Sequence, residues 1–82
     1  MLLPKQNLSK AILTWENDHP GQKLSDEEWV DLIFRGIDTL DPSINTLTNC
    51  VRLSLSSNLI NKIPELNLPR LEILSLGRNK IK

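Results

Sequence analysis

Between Leu47 and Ile81 the apolar residues recur in an order that suits neither an amphipathic helix nor a plainly alternating strand. One unit carries Leu47, Cys50, Leu53, Leu55, Asn58, Ile60, Ile63 and Leu66, and the next carries Leu68, Leu71, Leu74, Leu76, Asn79 and Ile81. The string Leu-x-Leu-x-x-Asn-x-Ile occurs at 53–60 and again at 74–81, a step of 21 residues. A unit this short cannot bury its apolar side alone, so the chain must stack one unit on the next. Leu53 and Leu55, like Leu74 and Leu76, are expected to alternate inward on short strands. Asn58 and Asn79 are expected to hydrogen-bond the turn backbone and form a ladder, with Ile60, Ile63 and Leu66 filling the convex side.

This is the spacing of a leucine-rich repeat. The expected fold class is therefore α/β: a leucine-rich-repeat solenoid of short 21–22-residue units with an N-terminal helical cap, truncated at its C-terminal side. Residues 1–46 are read as the cap and residues 47–82 as about one and a half to two repeats. The sequence given stops at Lys82, leaving the Leu74–Leu76 strand as an open edge. The expectation is a fragment, a shortened gene model, or a chain completed by a partner, that folds with poor cooperativity or self-associates alone.

Two helices are expected in the cap. Ser9 would cap the first, whose stripe is Leu8, Ala11, Ile12 and Trp15, ending by Asn17 or Asp18 before His19-Pro20-Gly21. Ser25-x-x-Glu28 reads as a capping box for the second, with Asp26, Glu27 and Glu28 on its positive end and Leu24 stapled onto Trp29. Trp29, Val30, Ile33, Phe34 and Ile37 would be its apolar face, and Gly36 would lie near its end. Asp41-Pro42 starts a further short helical turn. Helical spacing assigns Trp15, Trp29 and Phe34 to the core rather than to a stacking platform.

Formal net charge is zero, which argues against nucleic acid as the main partner. Residues 1–50 hold four Lys/Arg against eight Asp/Glu, and residues 51–82 hold six against two, so a basic repeat half could favour an acidic partner. The single cysteine, Cys50, sits at a repeat leucine position, is read as a buried core residue, and fits a reducing compartment. Met1-Leu2-Leu3 is interrupted by Pro4-Lys5, and neither a targeting peptide nor a membrane span is read. His19 is the one histidine and no cysteine pair exists, so no metal site is expected. Gly77 is isolated and makes no phosphate loop. The reading is a binding module, not an enzyme, with no cofactor. The residues between the core leucines, Arg52, Ser54 and Ser56 in one unit and Ile73, Ser75 and Arg78 in the next, would form an outward strand face whose arginines can pair with carboxylates.

Cys50-x-x-Leu53-Ser-Leu-Ser-Ser-Asn58, Ile60-x-Lys62-Ile63 and Leu71-x-Ile73-Leu74-Ser-Leu-Gly-Arg-Asn79-x-Ile81-Lys82 resemble the leucine-rich-repeat light chains of axonemal outer-arm dynein. Ala11, Trp15-Glu16, Asp41-x-Ser43 and Leu47-x-Asn49-Cys50 are similar to that family's N-terminal region. The family's units usually run 22 residues and continue into further repeats and a C-terminal helical cap, which are absent from this sequence. The resemblance implies a non-catalytic light chain in the cytoskeleton of the cilium or flagellum axoneme, within the cytoplasm. Its implied partners are the microtubule-binding stalk region of a dynein heavy chain and, second, tubulin, with neither nucleic acid nor membrane. It implies that the light chain modulates motor attachment, and on it the strand face, Arg52, Ser54, Ser56, Ser75 and Arg78, becomes the candidate heavy-chain contact. The alternatives are a phosphatase-regulatory leucine-rich adaptor or a structural repeat fragment.

Overall fold

A computed structural model describes residues 4–82, so Met1–Leu3, read above for targeting, lie outside the described residues. The chain forms β1 (Gln6–Asn7), α1 (Leu8–Asp18), a 3₁₀ turn (Leu24–Asp26), β2 (Trp29–Asp31), β3 (Ile37–Thr39), a second 3₁₀ turn (Pro42–Thr46), β4 (Arg52–Ser54) and β5 (Ile73–Ser75). Strands β2, β4 and β5 make one parallel sheet in that order, and β1 pairs in parallel with β3. The described residues make a small α/β structure with one α-helix and short strands.

The first helix forms where its apolar stripe predicts. Its N-cap is Asn7, two residues before the expected Ser9: the Asn7 side chain accepts from the Lys10 N–H at 2.9 Å. Leu8 and Ala11 are buried, and Ile12 and Trp15 pack partly against the core. The helix ends at His19, whose ring stacks on Trp15 with centroids 4.0 Å apart while Nδ1 lies 2.7 Å from the Trp15 carbonyl.

The second expected helix does not exist. Its capping-box segment is a single 3₁₀ turn, and Trp29–Asp31 is a strand whose partners are Arg52, Leu53 and Ser54. Burial here alternates: Val30 and Leu32 are buried, whereas Trp29 is 71% exposed and Ile33 and Phe34 also face outward. A helix from Ser25 would gain a cap of about 1 kcal/mol. A strand buries Val30 and Leu32 together, at about 1.5–3 kcal/mol each, and completes a ladder with β4. Tertiary burial therefore overrides the local helix-start signal. Trp29 and Phe34, assigned to the core by helical spacing, lie at the surface; Trp15 keeps a partly buried place.

Once β2 is placed, residues 30–37 are seen to reproduce the repeat string: Val30, Leu32 and Ile37 occupy the positions of Leu53, Leu55 and Ile60, and Arg35 stands where Asn58 stands. The steps between units are unequal, 23 residues from Val30 to Leu53 and 21 from Leu53 to Leu74, yet the strand registers Val30–Leu53–Leu74 stay aligned. The whole difference is taken up opposite the sheet, where the longer arc holds the Pro42–Thr46 turn and the shorter one has no regular element. Three residues at equivalent turn positions, Phe34, Ser57 and Arg78, share left-handed backbone with φ of 56°, 58° and 56°.

Asn58 and Asn79 form the expected ladder. Asn58 Oδ1 accepts from the Arg35 and Ile37 N–H groups at 2.9 and 3.1 Å, and its Nδ2 donates to the Leu32, Leu55 and Ser56 carbonyls. Asn79 accepts from Ile60 N–H and donates to the Leu55, Leu76 and Gly77 carbonyls. In the first unit Gln6 closes the series, its backbone N–H donating to Gly36 and its Nε2 to the Arg35 carbonyl. The core is Leu24, Val30, Leu32, Ile37, Leu40, Ile44, Leu47, Cys50, Leu53, Leu55 and Ile60 with the helix residues Leu8 and Ala11. Ile63, expected on the convex interior, is exposed, and Leu66 is only partly buried.

Asp41 ties the helix to the second 3₁₀ turn. It caps that turn through the Ser43 N–H and also accepts the Ser9 N–H at 2.9 Å and the Ser9 hydroxyl at 2.7 Å. Burial pushes the carboxyl up, but the nearby Ser43 hydroxyl and the donors from Ser9 and Ser43 outweigh it and lower the pKa from 3.8 to about 2. Among the described residues the Ser43 hydroxyl has no hydrogen-bond partner, so the direct donors to Asp41 are the Ser9 N–H, the Ser9 hydroxyl and the Ser43 N–H. A folded value below the unfolded one means that this stabilisation is complete above pH 3.8 and disappears as pH falls toward 2. Asp41→Ala is expected to cost about 1 kcal/mol near neutrality. Urea midpoints of the variant and parent should converge across the acid limb; a constant gap down to pH 2 would contradict the assignment.

Candidate functional site: the open strand face

The parallel register of β2, β4 and β5 sets three rows across the sheet: Trp29–Arg52–Ile73, Val30–Leu53–Leu74 and Asp31–Ser54–Ser75. Strand geometry sends the middle row inward and the outer two rows to the open face. Trp29, Asp31, Arg52, Ser54, Ile73 and Ser75 accordingly line a shallow depression of about 370 Å³. Trp29 and Ile73 bring large apolar surface to it, and the Arg52 guanidinium sits 4.7 Å above the Trp29 ring. That cation–π contact restrains two long side chains that would otherwise lose rotamer freedom on binding. Small Ser54 and Ser75 keep the centre of the face low. Asp31 is held by its own turn, accepting from the Ile33 N–H at 3.1 Å.

The residues expected on this face divide. Arg52, Ser54 and Ser75 come together around the depression. Ser56 lies beyond β4, where its carbonyl is engaged by the Phe34 N–H and by Asn58, and it does not line the depression. Arg78 sits in the left-handed turn after β5 and is likewise outside it. Trp29 and Asp31 complete the face and were missed, because the stretch was read with a helical period. The available signal was Val30-x-Leu32-x-x-Arg35-x-Ile37, hidden by arginine in place of asparagine.

Cys50 is buried, donates Sγ to the Arg52 carbonyl at 3.3 Å, and has its pKa raised by burial, the environment of an inert structural thiol. Among the described residues no cluster of His, Cys, Asp and Glu could hold a metal ion, and no helix is long and apolar enough to cross a membrane.

No protein-family model matches the chain. Over 78 residues, 92% of this chain, it is 47% identical to dynein axonemal light chain 1 of Rattus norvegicus, of which it covers 40%. Dynein axonemal light chain 1 of Ciona intestinalis is 43% identical over 79 residues, with 93% of this chain and 41% of the relative covered. Leucine-rich repeat-containing protein 51 of Rattus norvegicus is 40% identical over 58 residues, 66% of this chain and 30% of the relative. The chain thus spans about 40% of the length of the curated dynein light chains it matches. The repeat string, the asparagine ladder and these similarities agree: the chain is a homologue of the N-terminal part of the dynein axonemal light chain 1 proteins.

Proposed function

We propose that this chain is the N-terminal part of a leucine-rich-repeat solenoid acting as a non-catalytic light chain of ciliary outer-arm dynein. In this reading α1 and the chain leading to β2 cap the array, Trp29–Thr39 is its first unit rather than part of a 1–46 cap, and the open strand face binds the microtubule-binding stalk region of a heavy chain and modulates motor attachment to microtubules. Tubulin is a second partner, and the site of action is the axoneme. The similarity to dynein axonemal light chain 1 supports the motor assignment. The observation that carries the surface assignment is the exposed Trp29, 71% accessible on a face that none of the described elements covers, with Arg52 already seated on its ring. Tryptophan and arginine are the residues most often found to dominate interface energies.

The test is a titration of a recombinant heavy-chain stalk region with the parent chain and with Arg52→Glu, Trp29→Ala and Arg78→Glu. Arg52→Glu and Trp29→Ala should each weaken association by about tenfold or more. Arg52→Glu should also flatten its dependence on salt, and Arg78→Glu should have a smaller effect. Parent-like binding by both Arg52→Glu and Trp29→Ala, with unchanged circular dichroism, would remove the strand face from the proposal. No binding by the parent chain would remove the heavy-chain reading for this segment.

A further inference from the structure

A second surface lies at the cap end, sharing no lining residue with the strand face. It is a depression of about 310 Å³ whose walls include Lys5, Lys10, Thr14, Arg35 and the ring of Phe34. Residues 1–50 are acidic overall, yet three of their four cations, Lys5, Lys10 and Arg35, converge here. None of the three is in an ion pair among the described residues.

Phe34 is the less expected component. Its φ of 56° is the left-handed value that its counterparts Ser57 and Arg78 also adopt, but a bulky aromatic ring is disfavoured there. The fold gains little packing in return, since Phe34 is 66% exposed. The turn that presents it is held firmly: the Phe34 N–H donates to the Ser56 carbonyl at 3.2 Å, while Gln6 is bonded to the Arg35 and Gly36 carbonyls. A strained, exposed aromatic residue on a fixed turn, lining the same depression as three cations, is a feature that stability does not explain.

We propose that this cap-end surface binds an acidic peptide segment of a protein partner, with an apolar side chain of that segment against Phe34 and flanking carboxylates paired to Lys5, Lys10 and Arg35. Charge complementarity selects the acidic class, and the exposed ring selects an apolar anchor over a purely ionic contact. The surface is independent of the strand face, so the two sites can be occupied together.

The experiment uses the full 82-residue chain and a dye-labelled peptide of glutamates flanking one leucine. Control peptides replace the leucine by glycine or the glutamates by lysines, and vesicles with and without phosphatidylserine form a separate arm. The glutamate–leucine peptide should bind best in polarisation, with affinity falling as salt rises. Phe34→Asn and Lys5→Glu/Lys10→Glu should each weaken it by about tenfold, and Arg52→Glu should not change it. Asparagine tolerates the left-handed turn, so the thermal midpoint of Phe34→Asn should equal or exceed the parent's. Undiminished binding by both cap variants, equal binding of the glycine control, or binding to phosphatidylserine vesicles without peptide binding would overturn the proposal. So would a lowered midpoint in Phe34→Asn, which would make the ring a structural element.

Discussion

Replacing Asn58 by alanine is expected to lower stability by about 3–5 kcal/mol, a large part of the roughly 4–12 kcal/mol available to a domain of this length. The side chain is 5% exposed and engages five backbone groups from two adjacent units. Its removal leaves the N–H groups of Arg35 and Ile37 and the Leu32 carbonyl without these partners, and each buried orphan costs about 1–3 kcal/mol. Asn79 makes four comparable bonds at a site that water reaches more easily, so Asn79→Ala should cost only about 1–2 kcal/mol. Urea unfolding followed by tryptophan fluorescence measures both. Equal midpoints for the two variants, or an Asn58→Ala midpoint within error of the parent, would show that the ladder does not hold the units together as described.

The second large effect separates strand from helix at residues 29–37. Leu32→Ala should cost about 2–5 kcal/mol, because Leu32 is fully buried between units. Ile33→Ala, next to it, should cost under about 1 kcal/mol, because that side chain points outward. A helix with an Ile33–Phe34–Ile37 face would reverse the order. Denaturation midpoints of the two single variants decide between them, and a larger loss for Ile33→Ala would remove β2 from the sheet.

That contrast marks where the sequence was legible. Two copies of Leu-x-Leu-x-x-Asn-x-Ile sufficed to place β4, β5 and the asparagine ladder, because each fixed residue answers a separate physical demand. The Leu8–Trp15 stripe placed α1, and Asp41-Pro42 placed the second 3₁₀ turn. Residues 25–37 were not legible by period alone. Trp29, Val30, Ile33, Phe34 and Ile37 satisfy helical spacing, and Ser25 and Glu28 supply a plausible helix start. Only the neighbouring strand reveals that Leu32 must be inside and Ile33 outside. The candidate face inherited this error: Arg52, Ser54 and Ser75 followed from the visible repeats, while Trp29 and Asp31 lay in the repeat whose ladder position holds arginine.

The unequal steps between aligned strands carry a consequence for how such a chain can change length. From Val30 to Leu53 and from Leu53 to Leu74 the residue count differs by two, but the sheet register and the turn at 34, 57 and 78 are unaltered. Chain length is therefore policed on one side of the molecule only. A residue inserted between Leu53 and Asn58 would invert the inward–outward order or detach the amide from its carbonyls. One inserted between Asn61 and Pro69 lengthens an arc that has no register to keep. Insertions and deletions in proteins built this way should collect opposite the sheet, leaving the binding face to vary by substitution alone.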